Sequence, residues 1–414
     1  MNTRGGTEAN LKSAALADRF DIEKLTHEFY ADPYPTYRAL REHAPVKRMA
    51  NGSYFLTRYD DLLAAYKNTR AFSSDKKKEF APKYGASLLY DHHTTSLVFN
   101  DAPAHTRVRR LIMGALSPRA IAEMEPALTR LVDRLLDALA GKGEADLITD
   151  FAAAIPIEVI GNLLDVPLDE REPLRAWSLA ILGALEPVIS AEALARGNDA
   201  VREFLTYLET LVARRRAKPG DPERDVLTRL IQGETGGERL TEKELLHNCI
   251  FLLNAGHETT TNLIGNGLVA LANHLGEKSR LIENPALIKT AIEEMLRYES
   301  SNQLGNRMTT ERVELGGVEL PPGTSVTLCI GAANRDERQF ENAETFNVSR
   351  TPNRHLAFGT GAHQCAGMAL ARLEGAVAIS GFLARFPHYA LKGAPVRGGR
   401  VRFRGFLSVP CSVD

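Results

Sequence analysis

The ten residues Phe358-Gly359-Thr360-Gly361-Ala362-His363-Gln364-Cys365-Ala366-Gly367 stand directly before a strongly helical run, Met368 to Phe386. Their glycines fit neither phosphate-loop template: there is no GxxxxGK(S/T), and Gly359-x-Gly361 lacks a third glycine. What remains is a cysteine at a helix start, held in a glycine-rich turn. The helix dipole and free N–H groups favour a thiolate there. Gly361 and Gly367 let a flat ligand approach the backbone closely. The alternative is a small buried apolar cysteine, the commoner role of an isolated Cys. Cys249, Cys329 and Cys411 complete the set, and no two cysteines stand at CxxC spacing. That removes thioredoxin-type redox centres, zinc ribbons and c-type haem attachment. Four scattered thiols suit a reducing cytoplasm.

Upstream of the cysteine lies one unusually long helical pattern. Thr241-x-x-Glu244 is a capping box, and the apolar period then runs to Gly276. At 1.5 Å per residue this is roughly 50 Å of helix, enough to cross the whole molecule. Its middle reads Asn254-Ala255-Gly256-His257-Glu258-Thr259-Thr260-Thr261. A glycine and three β-branched threonines each cost a few tenths to about 1 kcal/mol against alanine. Either the threonine hydroxyls bond back to carbonyls one turn earlier, or the helix is distorted to open a groove for a ligand. His257-Glu258 is no zincin, because position 261 is threonine and HExxH fails.

The rest of the chain frames these two segments. Of 414 residues, 44% are hydrophobic and 25% charged, with a net charge of −1. Those proportions exclude a disordered chain, a collagen-like repeat and a disulfide-stapled miniprotein, and near-neutrality argues against bulk nucleic-acid binding. No apolar run approaches about 18 residues, so no membrane span is expected, and the polar start is no secretory signal. From Pro103 to Gly276 the pattern is mostly helical, with Val108, Leu111, Ile112 and Ala115 on one face. Arg216 to Asp225 is a loop between helices. Strands are expected in Gly52–Thr57, Arg312–Leu320, Thr324–Ile330 and Val401–Val409. Nothing alternates βαβ, which disfavours a Rossmann-type enzyme. The expectation is one mainly α domain over 1–414 with small β-sheets at its edges, residues 1–20 forming a mobile polar N-terminus.

The pattern Phe358, Gly361, Cys365, Gly367 resembles the haem-binding loop of the cytochrome P450 family. Three further patterns follow that family's order. Ala255-Gly256-x-Glu258-Thr259 resembles its oxygen-activation segment, Glu294-Met295-Leu296-Arg297 its ExxR, and Asp101-x-Pro103-x-His105-Thr106-x-x-Arg109 the haem-facing helix of the soluble bacterial branch. The resemblance covers nearly the whole chain, from Asp32-Pro33-Tyr34 to the C-terminal strands.

The resemblance implies heme b with Cys365 as axial thiolate, Phe358, Gly359, Gly367 and Ala255 against the cofactor, and His105, Arg109, Arg307 and His363 on its propionates. A thiolate pushes electron density onto iron and favours O–O cleavage. Glu258 and Thr259 become the acid–alcohol pair that delivers protons to bound dioxygen. Glu294, Arg297 and Arg350 become a structural network holding the cysteine loop. Asn334-Arg335-Asp336 is followed by Glu337, where many relatives have proline.

No reductase domain follows, so electrons are expected from a separate ferredoxin and ferredoxin reductase, with NAD(P)H as the ultimate source. Arg107, Arg110, Arg119 and Arg372 are either a basic docking face for an acidic ferredoxin or an ordinary solvated face. The expected substrate is a small or medium apolar organic molecule, because haem pockets are mostly apolar. Phe251, Asn254 and Ala255 are its candidate contacts, and Lys76-Lys77-Lys78 reads as a solvated charge run. The leading expectation is a cytoplasmic monooxygenase. A peroxide-driven peroxygenase is disfavoured by Glu258-Thr259. A haem-thiolate sensor or carrier is disfavoured by the absence of an appended regulatory module.

Overall fold

The computed structural model describes residues 3–222, 225–233 and 239–413. Its axis is the helix Glu242–Asn273, 32 residues long. The capping box starts it: the Thr241 hydroxyl accepts from the Glu244 N–H, and the Glu244 carboxylate accepts from the Thr241 N–H. It ends three residues before Gly276, because His274 leaves the helical region and its ring bonds to the Ala270 carbonyl at 2.8 Å. The helix is apolar on most of its circumference and runs through the largest hydrophobic core. Ala154–Leu163, Leu174–Gly183, Ala191–Ala217, Ile288–Tyr298 and Met368–Arg385 pack around it. A Cβ on Gly267 would stand 2.7 Å from the Met295 sulfur, so the glycine sets the approach of Ile288–Tyr298.

The threonine-rich middle is regular α-helix. Thr259 Oγ1 donates to the Ala255 carbonyl at 2.8 Å, and Thr261 Oγ1 to that of His257 at 3.0 Å. The hydroxyls are thus absorbed by the turn before them, and the alternative of a distorted groove is not realised.

Short strands lie at the edges: β1 Val46–Arg48, β2 Tyr54–Leu56, β3 Phe72–Ser73, β4 Glu144–Asp146, β5 Leu304–Thr309, β6 Val313–Leu315, β7 Val318–Leu320, β8 Ser325–Cys329, β9 Ala390–Leu391, β10 Val396–Arg397, β11 Phe406–Ser408 and β12 Pro410–Ser412. The main sheet runs β1-β2-β8-β5-β3, parallel only between β2 and β8. The four expected strand regions each contain strands, with 312–320 forming the β6–β7 hairpin. The helix Ala191–Ala217 and the helix Val226–Gln232 flank the expected loop, of which 223 and 224 lie outside the described residues.

The N-terminal expectation needs correction. Thr3–Arg19 is helical and packs on the helix Tyr34–His43, with Ala17 and Phe20 buried beside Tyr37 and Leu40. Apolar side chains spaced along an otherwise polar segment suffice to dock it. Lys76 also departs from the solvated reading. It is 1% exposed and bonds Glu79 at 2.7 Å, while Lys77 and Lys78 remain exposed.

Candidate active site

The cysteine turn is built by its own backbone. The Cys365 N–H donates to the Phe358 carbonyl at 2.9 Å, and the Gly359 N–H to that of Leu356 at 2.8 Å. Gly361 has φ +74°, and a Cβ there would lie 2.7 Å from the Tyr66 carbonyl oxygen. Conformation and space both demand glycine. The loop is clamped from outside by Arg372, which bonds Glu293 through two nitrogens at 2.7 and 2.9 Å and lies over the Phe358 ring. Cys365 opens onto a large cavity. Desolvation pushes its thiol up, against the sequence expectation, while the Gly367 N–H and the charges of Arg109 and Arg372 pull it down.

Across that cavity stands the middle of the central helix, presenting Phe251, Asn254, Ala255 and Thr259. His105, Arg109, Arg307 and His363 share the wall on the cysteine side. The two imidazoles stack with centroids 3.8 Å apart. Burial and the neighbouring cations push His363 down to about 3 and lower His105 as well. Desolvation also lowers Arg307, which lies over the Tyr66 ring and gives one N–H to the Asn306 carbonyl. Arg109 gives one to the Gln364 carbonyl at 2.6 Å. His105 Nε2 is buried without a partner among the described residues. Two guanidinium groups and two imidazole donors around one wall form a seat for anionic groups. Two carboxylates of a flat ligand reaching Cys365 fit this chemistry.

Thr259 reaches the cavity and Glu258 does not. Glu258 is buried on the neighbouring face, with Oε1 on Arg400 at 2.6 Å and Oε2 unpartnered among the described residues. Burial pushes its carboxyl up to about 7, although Arg400 opposes. The expected acid–alcohol pair is adjacent in sequence but split between cavity and protein interior.

Glu294 and Arg297, both fully buried, form a two-pronged pair at 2.7 and 2.8 Å. Arg297 also donates to the carbonyls of Asn334, Ala343 and Thr345. Glu294 accepts from Arg350, the Asn347 N–H and Asn353. Glu337, at the position of the family's proline, pairs with the buried Arg41 at 3.0 Å. Of the four arginines expected on one face, Arg107 pairs with Glu244, Arg119 with Glu123 and Arg372 with Glu293, while Arg110 is exposed.

Sequence reasoning missed His92, His93, Glu374 and Arg402, all in the cavity wall. Burial alone pushes Glu374, 1% exposed, up to about 8. Its place in the helix after the cysteine, one turn beyond Leu370, was the available signal. His92 and His93 sit on the short helix Leu88–Thr95, whose apolar pattern gives no hint of a cavity.

The Cytochrome P450 family profile matches residues 46–397. The biotin biosynthesis cytochrome P450 of Bacillus subtilis is 36% identical over 87% of this chain and 90% of its own. The 6-deoxyerythronolide B hydroxylase of Saccharopolyspora erythraea is 35% identical over 90% and 92%. Among solved structures, P450BioI in complex with an acyl carrier protein ligated to hexadec-9Z-enoic acid superposes with TM-score 0.89 at 35% identity, covering 94% of this chain and all of that one. A Bacillus megaterium cytochrome P450 with testosterone gives 0.86 at 30% identity, covering 94% and 100%. No helix among the described residues is long and apolar enough to cross a membrane.

Proposed function

The chain belongs to the cytochrome P450 family and is a P450 monooxygenase, and from that premise we propose how its own residues divide the work. The family implies a haem-thiolate cofactor, redox partners and dioxygen. Heme b would fit here, and Cys365 would be the residue that holds its iron. The observation that carries this reading is that Cys365, Ala255 and Thr259 line one cavity, together with His105, Arg109, Arg307 and His363. His105, Arg109, Arg307 and His363 hold the propionates. Burial is the main cause that lowers both imidazoles, and propionates would offset the smaller part due to the neighbouring cations. Phe358, Gly359 and Gly367 support the loop side, and the Gly367 N–H moderates the thiolate charge.

The bound haem supplies activation of dioxygen by two electrons and transfer of one oxygen atom to substrate. Thr259 holds a water at the cavity face of the central helix. Glu258, with a carboxyl near neutrality, stores a proton one residue away and passes it on when Arg400 releases it. Glu294, Arg297 and Arg350 keep the cysteine loop in place without touching the reacting atoms. Electrons come from a ferredoxin and its reductase fed by NAD(P)H. Arg110 and Arg119 are exposed cations of the basic face for such an acidic partner.

The substrate is an apolar organic molecule that enters the aliphatic end of the cavity and contacts Phe251, Asn254 and Ala255. Relatives named 6-deoxyerythronolide B hydroxylase and vitamin D(3) 25-hydroxylase support an apolar skeleton. The test is the carbon monoxide difference spectrum of the reduced protein. Wild type gives the thiolate Soret band, and Cys365→Ala abolishes it. A histidine-type band, or no haem, overturns the assignment. Turnover with a ferredoxin system but not with peroxide alone separates monooxygenase from peroxygenase. Turnover with neither leaves the sensor or carrier.

A further inference from the structure

The cavity wall includes the aliphatic side chains of Ile160, Leu163, Ile181 and Leu182, and buried polar side chains stand in the same wall. Asn254 is 2% exposed, and neither its oxygen nor its nitrogen has a partner among the described residues. His92 is 3% exposed with Nδ1 unpartnered, and His93 is 2% exposed with Nε2 unpartnered, again among the described residues. No hydrogen bond engages the second nitrogen of either ring within the described structure. Asn248, six residues before Asn254 on the same helix, shows the contrast. Its oxygen accepts from the Leu97 N–H at 3.0 Å and its nitrogen donates to the Glu244 carbonyl at 2.8 Å. Buried amides and imidazoles are normally satisfied, so these unsatisfied groups, in a wall where Ser74, Ser301 and Asn302 also carry oxygens without partners among the described residues, call for a partner that the fold does not supply.

The rings are also held in place. His93 lies among Phe80, Tyr84 and Phe99 with centroids 5.7, 5.3 and 5.7 Å away, and His92 between His93 and His247 at 5.0 and 5.6 Å. Burial pushes His93 down to about 3 and His92 well below its ordinary value, so both present a neutral imidazole with one donor and one acceptor. Neither ring offers a charge to a ligand. Apart from the cluster beside Cys365, the wall carries one guanidinium, Arg402. Its three donor nitrogens already serve the carbonyls of Leu185 and Leu304 and the side chain of Asn306.

Resting on the haem-thiolate reading above, we propose that His92, His93 and Asn254 form a neutral hydrogen-bonding subsite that selects an uncharged apolar skeleton bearing hydroxyl or carbonyl oxygens, and discriminates against a free carboxylate. A site built to hydrogen-bond a substrate oxygen loses strongly when that bond is removed, because its own buried groups are stranded.

The experiment is a spin-state titration of the haem-loaded protein with testosterone and with hexadec-9Z-enoic acid at neutral pH. Testosterone binds on the order of tenfold or more tighter. Asn254→Leu and His92→Phe each weaken testosterone about tenfold and leave the acid within about twofold. 4-Phenylimidazole, which ligates iron directly, reports that each variant keeps haem and an open cavity. Should His92→Phe fail to load haem, Asn254→Leu decides. Tighter or equal binding of the acid, binding of neither probe, or unchanged testosterone affinity in Asn254→Leu overturns the subsite. Failure of the haem-thiolate reading is distinct: then the carbon monoxide band of the reduced protein is of histidine type or absent.

Discussion

Thr259 and Glu258 are neighbours in the chain and separated in space by the turn of a helix. The threonine hydroxyl is tied to the Ala255 carbonyl yet borders the cavity, while the glutamate is sealed against Arg400. Replacing Thr259 by alanine removes a hydroxyl and leaves a regular helix, since that hydroxyl carries no tertiary contact. Thr259→Ala should therefore load haem and bind substrate as wild type does. It should divert most reducing equivalents to hydrogen peroxide, with product per NADH falling several-fold. Stoichiometry of NADH, peroxide and product measures this, and unchanged coupling removes Thr259 from proton delivery. At this scale the sequence was readable where spacing carries chemistry: Cys365, the Glu294–Arg297 spacing and the segment around Thr259 all declare themselves. His92, His93 and Glu374 do not, because a single polar residue on an apolar face looks the same whether it meets a cavity or a neighbour. The facing of Glu258 away from Thr259 is likewise a matter of helical phase against packing partners far off in the chain, such as Arg400.

Elements are held in register by a few buried charges. Glu294 alone joins Ile288–Tyr298 to the segment from Asn347 to Asn353, and Arg297 joins the same helix to the carbonyls of Asn334, Ala343 and Thr345. The Leu356 N–H then bonds the Asn334 side chain at 2.7 Å, two residues before Phe358 opens the cysteine turn. Glu294→Gln leaves two guanidinium groups facing a neutral amide in a buried site. Breaking such a pair from one side costs about 3–5 kcal/mol. The expected outcome is a large fall in thermal midpoint and loss of haem retention, with any haem that remains still giving the thiolate band. Differential scanning calorimetry and haem content check it. A midpoint within a degree of wild type shows that the network is dispensable. The long central helix and the β6–β7 hairpin were legible because each is a local pattern, a capping box with sustained period or a short alternating run around glycines. β5 was not, since Leu304–Thr309 contains glycine, asparagine and arginine and is a strand through its pairing with β8 and β3. The helix Thr3–Arg19 was missed for the related reason that tertiary docking overrides a polar composition.

Over the whole molecule, buried ionisable groups of two kinds set opposite limbs of a pH profile. His93, His247 and His257 are pushed down to about 3, 4 and 3 by burial, from an ordinary value of 6.5. Below 6.5 the unfolded chain takes up protons that these folded sites refuse, so stability is lost as pH falls. Glu374 and Glu258 are pushed up from 4.5 to about 8 and about 7. Between 4.5 and those values the folded chain keeps protons that the unfolded chain has released, so their contribution is lost as pH rises. These histidines outweigh the two carboxyls near pH 5, and above about 6.5 the carboxyls act against Lys83, which burial lowers from 10.5 to about 8. Thermal midpoint should therefore peak near neutrality, fall on the acid side, and fall above about pH 7 with a slope well below that of one proton, under about 1.4 kcal/mol per pH unit. Glu374→Gln keeps the shape of the side chain and removes its titration. It should flatten the alkaline limb, raise the midpoint at pH 8, and leave the acid limb untouched. Midpoints of both proteins across pH 5 to about 8 make the comparison. An alkaline limb that survives the substitution intact would mean that Glu374 ionises freely in the folded protein, and that the cavity behind the cysteine helix admits water to a degree its closed wall does not suggest.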